Sequence, residues 1–292
     1  MARFTIKDLE NLSGIKAHTI RIWEQRYSFL KPARTNTNIR YYSNDDLKTI
    51  LNISILNKYG YKISHINKMP VNEMQARVAE LNMAGAGQER IVNELIQSMV
   101  DLDTIEFERV LDKQIGNSGI EKTIVRIIFP FFERIGILWQ TGHINPAQEH
   151  LTSNIIRQKL IVGIDQAKPL LKLKKSFLLF LPEHEHHELG LLLVYYLLKR
   201  RGAEVSYIGA NVPFKDAQFV AEAKKPDYIY IHLTSSSPGF NFEKFIRQTG
   251  EKITKPKIII SGYVTHTYKR SLPKNVVFKH SLVELVEFIS SL

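Results

Sequence analysis

The sequence predicts a multidomain chain of α and α/β class: a winged helix-turn-helix head, a four-helix bundle, and a doubly wound parallel sheet. Three observations carry this reading. Near the front, two short helical patterns meet at Ser13-Gly14-Ile15. In the middle, four helix-length segments follow one another within residues 76–170. From residue 171 onward, short apolar runs alternate with helix-length segments, the pattern of a parallel sheet with helical crossovers. The boundaries follow: 1–75 for the head, 76–170 for the bundle, 171–292 for the α/β module.

Composition sets limits. At 292 residues the chain has room for two or three cores. A hydrophobic fraction of 44% and a charged fraction of 24% are those of an ordinary globular protein. There are no cysteines, so disulfides, thiolate metal sites and cysteine nucleophiles are excluded. No apolar run is long enough to span a membrane, and Met1-Ala2-Arg3-Phe4 opens no signal-peptide segment. A cytoplasmic protein without a membrane partner is expected. The formal net charge of +11 points to a polyanionic partner.

In the head, Thr5 is placed to cap a first helix, with Asp8 as its capping-box partner and Ile6, Leu9 and Leu12 on one face. A second helix runs from about Lys16 to Tyr27. Two short helices joined at a glycine form a helix-turn-helix. The second helix interleaves Lys16, His18, Thr19, Arg21 and Arg26 with Ile20, Trp23 and Tyr27, so one face packs and the other offers donors to a groove. The Asn-rich stretch from Leu30 to Tyr42 reads as a β-hairpin wing, with Arg34, Arg40 and Tyr42 available to phosphates. Ser43-x-x-Asp46 starts another helix that ends at Gly60, and Ser64 is the expected cap of a short helix containing Ile66. Gly85-Ala86-Gly87 reads as a linker.

This segment resembles the MerR family of transcription regulators. The resemblance rests on His18-Thr19-Ile20-Arg21-Ile22-Trp23-Glu24-x-Arg26-Tyr27, then Arg34-Thr35, Arg40-x-Tyr42, Asp46-Leu47 and Gly60-x-x-Ile63. It implies a double-stranded DNA operator as partner, self-association as dimer or tetramer, and repression as the usual outcome.

The bundle begins with a helix over Gln88–Gln97 that aligns Ile91, Val92, Leu95 and Ile96. Asp103 caps the next, which aligns Ile105, Phe107, Val110, Leu111 and Ile115, and Gly116-Asn117-Ser118-Gly119 reads as a break. Pro130 should kink or split the helix from Glu121 to Leu138, and Pro146 opens a helix to about Ile164.

The α/β module carries the stretch around which the chain is organised, Glu185-His186-His187-Glu188-Leu189-Gly190. It follows the buried-strand run Ser176–Leu181 and precedes a helix that stops at Gly202, so it lies at the carboxyl end of a strand, where open α/β sheets bind ligands. His187 can ligate a metal through one ring nitrogen while a carboxylate holds the other, and Glu185 is placed for that task. Gly190 lets a planar ligand approach the backbone. Further strands are read at 203–210, 227–233 and 257–262, with a short edge strand near Phe278.

The motif resembles Asp-x-His-x-x-Gly of cobalamin-binding domains, which share a flavodoxin-like sheet, with Glu185 in the Asp place. The resemblance implies His187 as lower axial ligand of cobalt. It also implies a slot for the dimethylbenzimidazole tail, formed where the family has a Ser after the third strand and Gly-Gly after the fourth. Here His232 stands in the Ser place, with Thr234 and Ser235 beyond it, and Ser261-Gly262 replaces Gly-Gly. Trp139, separated by nine residues from Glu149-His150, resembles the helical cap of adenosylcobalamin-dependent, light-responsive MerR-type repressors. There the Trp covers the adenosyl group and the Glu and His line its pocket. The residue after that Trp is His in those sensors and Gln140 here. The expectation is a cobalamin-controlled DNA-binding regulator, not an enzyme, with adenosylcobalamin as cofactor and light as a possible input. Two alternatives stand: a regulator whose module no longer binds cobalamin, and a corrinoid-dependent methyl carrier or mutase.

Overall fold

The computed structural model describes residues 4–81, 85–140, 144–170, 172–234 and 240–292, with backbone alone for 136–140, 263 and 282. It divides into two compact units, Met1–Ile155 and Ile156–Leu292. Among the described residues no helix is long and apolar enough to cross a membrane.

In the first unit, α1 (Ile6–Ser13) opens on a capping box in which Thr5 and Asp8 satisfy each other's backbone N–H groups. Gly14, at φ 73°, turns the chain toward α2 (Ala17–Arg26). Strands β1 (Ala33–Arg34) and β2 (Arg40–Tyr41) pair antiparallel as the expected wing. Ser43 and Asp46 form a second capping box at the start of α3 (Asn44–Lys58). The short α4 (Ile63–Ile66) is capped by Lys62 without a side-chain bond, so Ser64 lies inside it and does not cap it.

The expected linker is absent. After α5 (Val71–Glu80), Gly85 is the N-cap of α6 (Ala86–Val100), and Ala86 is fully buried. Helix α3 packs on α5 and α6. Lys48 pairs with Asp101 at 2.6 Å, and the Asn93 amide reaches the Leu51 carbonyl. Glycine spacing suggested a hinge, but burial of Ala86 goes with Ala86 and Gly87 lying in the first turn of α6.

Asp103 caps α7 (Thr104–Ser118) through the Glu106 N–H. Phe107, Val110 and Leu111 are buried, whereas Ile105 is 82% exposed, one position off the packed face. The break lies at Gly119 alone, because α7 continues through Gly116. Pro130 is accommodated by a change of helix type. The short α8 (Ile120–Thr123) passes into a π-helical turn over Ile124–Ile128 and on into α9 (Phe129–Gln140) without a break; Pro130 offers no N–H to the Arg126 carbonyl, which takes the Gln88 side-chain amide instead. Pro146 is the first residue of α10 (Pro146–Gln166), and Gln148 ties its first turn to the Val100 carbonyl at 2.9 Å.

The second unit is built on five parallel strands in the order β4-β3-β5-β6-β7: β3 (Ser176–Pro182), β4 (Glu204–Val212), β5 (Tyr228–His232), β6 (Lys257–Ser261) and β7 (Val276–Lys279). Helices α11 (Leu189–Arg200), α12 (Phe214–Lys224), α13 (Phe242–Lys252) and α14 (Leu282–Ser291) alternate with them. Phe177 to Leu181 are buried without exception, as a central strand covered on both faces requires. The order reverses direction between β3 and β5. The loop carrying Glu185 and His187 emerges at that switch point, the place where open α/β sheets commonly bind ligands.

Candidate functional site

Two clusters stand out, one in each unit. In the head, Lys16, His18, Arg21, Arg26 and Arg34 are exposed and Thr19 is half-buried. Ile20 and Trp23 are buried on the other side of α2 and anchor it. Lys16 also pairs with Glu10 at 3.4 Å, and Arg34 bonds the Asn38 side chain at 2.7 Å across the wing. Tyr42 differs from expectation. It is 0% exposed, and its hydroxyl donates to Glu24, which also takes Arg40 at 3.1 Å. Burial first, then the bond to Glu24, hold the Tyr42 phenol well above its ordinary pKa. Tyr42 thus braces the wing against α2 from inside, and Arg40 is drawn into the same contact. The sequence hid this because the wing's other residues are polar and Tyr42 reads as one more donor.

On α10, Glu149 lies beside His150 at 3.1 Å, with Ser153 donating to the Glu149 carboxylate. His150 is largely exposed. The side chains of Trp139 and Gln140, and all of Ser235, lie outside the described residues.

In the α/β unit the motif loop is tightly held. Glu185 is 4% exposed. Its Oε1 accepts the His187 N–H at 3.0 Å and lies 2.7 Å from His187 Nδ1, while Oε2 accepts the Thr234 N–H at 3.1 Å. One carboxylate therefore joins the loop after β3 to the loop after β5. Thr234 contributes its backbone to this joint, and its side chain is exposed. The Glu185 carboxylate thus fixes the orientation of the His187 ring, on a side chain 46% exposed. The neighbouring Glu188 accepts the Tyr207 hydroxyl at 2.6 Å and pairs with Arg157 at 2.5 Å. Asn211, at φ 56°, accepts the His184 N–H and donates its own to the Glu185 carbonyl. Glu188, Tyr207 and Arg157 were given no site role in the sequence reading. Their partners are far along the chain, and a glutamate at a helix start looks solvated.

Behind the loop lie His232 and Ser261. Ser261 Oγ is 2.8 Å from His232 Nδ1 and 2.6 Å from the hydroxyl of buried Tyr230. The His232 ring lies against Gly190, so close that a Cβ on residue 190 would stand 2.5 Å from it. Removal from water, above all, lowers the His232 pKa to about 4, with Glu185 opposing and His187 adding to the shift. Gly262, at φ 103°, has its missing Cβ directed at the Leu233 carbonyl. Its open space thus accommodates backbone of this chain.

Two stretches of the chain match known families. Residues 4–70 match the model of the MerR HTH family regulatory protein. Residues 91–162, the helices of the bundle, match the model of a B12 binding domain. The chain joins a MerR-type head to a B12-binding domain. It is homologous to two proteins of Myxococcus xanthus. The HTH-type transcriptional repressor CarH is 29% identical over 246 residues, covering 82% of either chain. The HTH-type transcriptional repressor CarA is 25% identical over 259 residues, covering 88% of this chain and 85% of its own. Among solved structures, the monomethylamine corrinoid protein of Methanosarcina barkeri superposes with a TM-score of 0.59 at 13% identity, over 70% of this chain and all of its own. That likeness concerns the fold.

The residues of the α/β unit fit a cobalt corrinoid at one end and not at the other. A buried carboxylate orients the His187 imidazole, the carboxylate–histidine arrangement common to metal-binding histidines. The space for a nucleotide tail, in contrast, is taken by His232 against Gly190.

Proposed function

We propose that the chain is a DNA-binding transcriptional repressor whose hold on its operator is set by cobalamin. Head, bundle and α/β module, divided near residues 75 and 170, would bind DNA, cover the corrinoid and hold it. The observation that carries this is the Glu185–His187 pair at the sheet's switch point, in a chain that begins with a MerR-type head. His187 would hold the cobalt, with Glu185 fixing the ring. On the resemblance, Trp139, Glu149 and His150 of the bundle would also take part in binding it. A cobalt corrinoid supplies a metal with one axial position for an imidazole and another for an exchangeable ligand. In the adenosyl form that second bond is photolabile, which would make light an input.

The ligand can act on DNA affinity only through its different affinities for two association states of the protein, dimer or tetramer against monomer. Lys16, His18, Thr19, Arg21, Arg26 and Arg34 would meet the operator. A second reading, a regulator whose module takes no corrinoid, is favoured by the His232 ring filling the tail slot.

The test is a titration with adenosylcobalamin in the dark, followed by visible absorption and operator binding, repeated after illumination. Retained corrin bands that change in His187→Ala, with operator affinity shifted in wild type and not in the variant, are expected. No spectral change at any concentration would leave the second reading. Arg21→Ala should weaken DNA binding on any sequence and lower the salt slope by about one.

A further inference from the structure

The space behind Gly190 is filled by this chain's own side chains in a specific order. Tyr230, 1% exposed, meets Ser261; Ser261 meets Nδ1 of His232; and the His232 ring closes on Gly190. Tyr230 and His232 are on β5, Ser261 ends β6, and Gly190 is in the first turn of α11. The opening between motif loop and strand ends is therefore plugged at its base by an imidazole anchored from behind. Any group that enters between α11 and the sheet must turn this ring out, and the ring then gives up its bond to Ser261.

We propose that His232 is a specificity-determining residue that selects corrinoids by their lower tail. It admits those whose nucleotide tail is absent or small and disfavours those whose tail carries dimethylbenzimidazole. This rests on the corrinoid reading of His187 and deepens it. His187 lies on the outer side of the same loop, so cobalt ligation does not require the ring to move, whereas insertion of a tail does. Losing a buried hydrogen bond without replacement corresponds to on the order of ten- to a hundredfold in affinity. Serine, the residue the cobalamin-binding pattern places here, would leave the same space open and keep a hydroxyl.

The experiment measures equilibrium dissociation constants of the full chain for cobinamide, which has no nucleotide tail, and for hydroxocobalamin, by visible absorption. A tail-less corrinoid has an inherent advantage, since no base need leave its cobalt, so the readout is the change in the ratio of the two constants on substitution. His232→Ser should tighten cobalamin about ten- to a hundredfold and leave cobinamide unchanged, the latter also reporting an intact fold. Ser261→Ala, which leaves the ring only its longer 3.3 Å contact with the Tyr230 hydroxyl, should shift the ratio in the same direction by a smaller factor. A ratio that stays the same in both variants, with both corrinoids still bound, overturns the role of His232 and leaves the corrinoid reading standing. Absence of any spectral change with either corrinoid, in wild type and in His232→Ser alike, overturns both.

Discussion

Glu185 Oε1 stands 2.7 Å from His187 Nδ1, while the other oxygen of the same carboxylate accepts the Thr234 N–H from the neighbouring loop. A carboxylate serves here because it accepts at both oxygens, and a buried anion is tolerated because three hydrogen-bonding groups face it. Glu185→Gln keeps the shape but turns one accepting end into a donor. It should misorient the imidazole and weaken corrinoid binding about ten- to a hundredfold, with little change in DNA binding by the unliganded protein. Visible titration and a mobility-shift assay on one preparation would check this. Equal corrinoid affinity in variant and wild type would show that the carboxylate does not govern the ligand.

Tyr42 makes a different kind of prediction, because it lies inside the head and not on its DNA face. Tyr42→Phe removes the hydroxyl from a Glu24 carboxylate whose side chain is only 7% exposed, leaving Arg40 as its remaining charged partner there. The expected cost is about 1–3 kcal/mol of stability, read as a lowered denaturant midpoint. Once folded, the variant should keep the salt slope of DNA binding, since no phosphate contact is lost. A reduced slope with unchanged stability would instead return Tyr42 to the phosphates.

Acid should act on the α/β unit through His232. Its folded pKa is near 4 and its ordinary value 6.5, so between these the unfolded chain takes up a proton that the native chain refuses. Stability contributed by the neutral, half-buried ring is complete above about pH 6.5 and is lost as pH falls toward 4. Denaturant midpoints of the unliganded protein across that range should decline, and His232→Ser should flatten this part of the profile. An identical decline in the variant would assign the acid sensitivity to other groups.

The strands of the sheet were legible because β3, β5 and β6 are covered on both faces and so read as charge-free runs, Leu178 to Leu181 above all. The two capping boxes were legible because they are local, spanning three residues each. What escaped depends on partners distant in sequence. Tyr42 reaches Glu24, Glu188 reaches Arg157 and Tyr207, and Gly85-Ala86-Gly87 looks like a hinge until Ala86 is buried. The π-helical turn before Pro130 has no periodicity of its own within five residues. The candidate ligand pair was legible because Glu185 and His187 are two residues apart. The plug behind it was only half legible: the sequence gives the size of His232 but not the direction of its ring.

That direction can be tested without any ligand. Gly190 and His232 are packed so that a methyl group on residue 190 would overlap the ring at 2.5 Å, and the ring cannot simply recoil because Ser261 holds its Nδ1. Gly190→Ala alone should therefore destabilise the protein by about 1–3 kcal/mol, the usual cost of overpacking. In a His232→Ser background the new methyl group meets open space, and the same substitution should cost little or become neutral, since alanine favours a helix over glycine. The four proteins form a double-mutant cycle, read as denaturant midpoints at neutral pH, and the coupling should be on the order of 1–3 kcal/mol. Additive costs would mean that the ring does not occupy the space behind Gly190 in solution, and the closed slot would have to be abandoned.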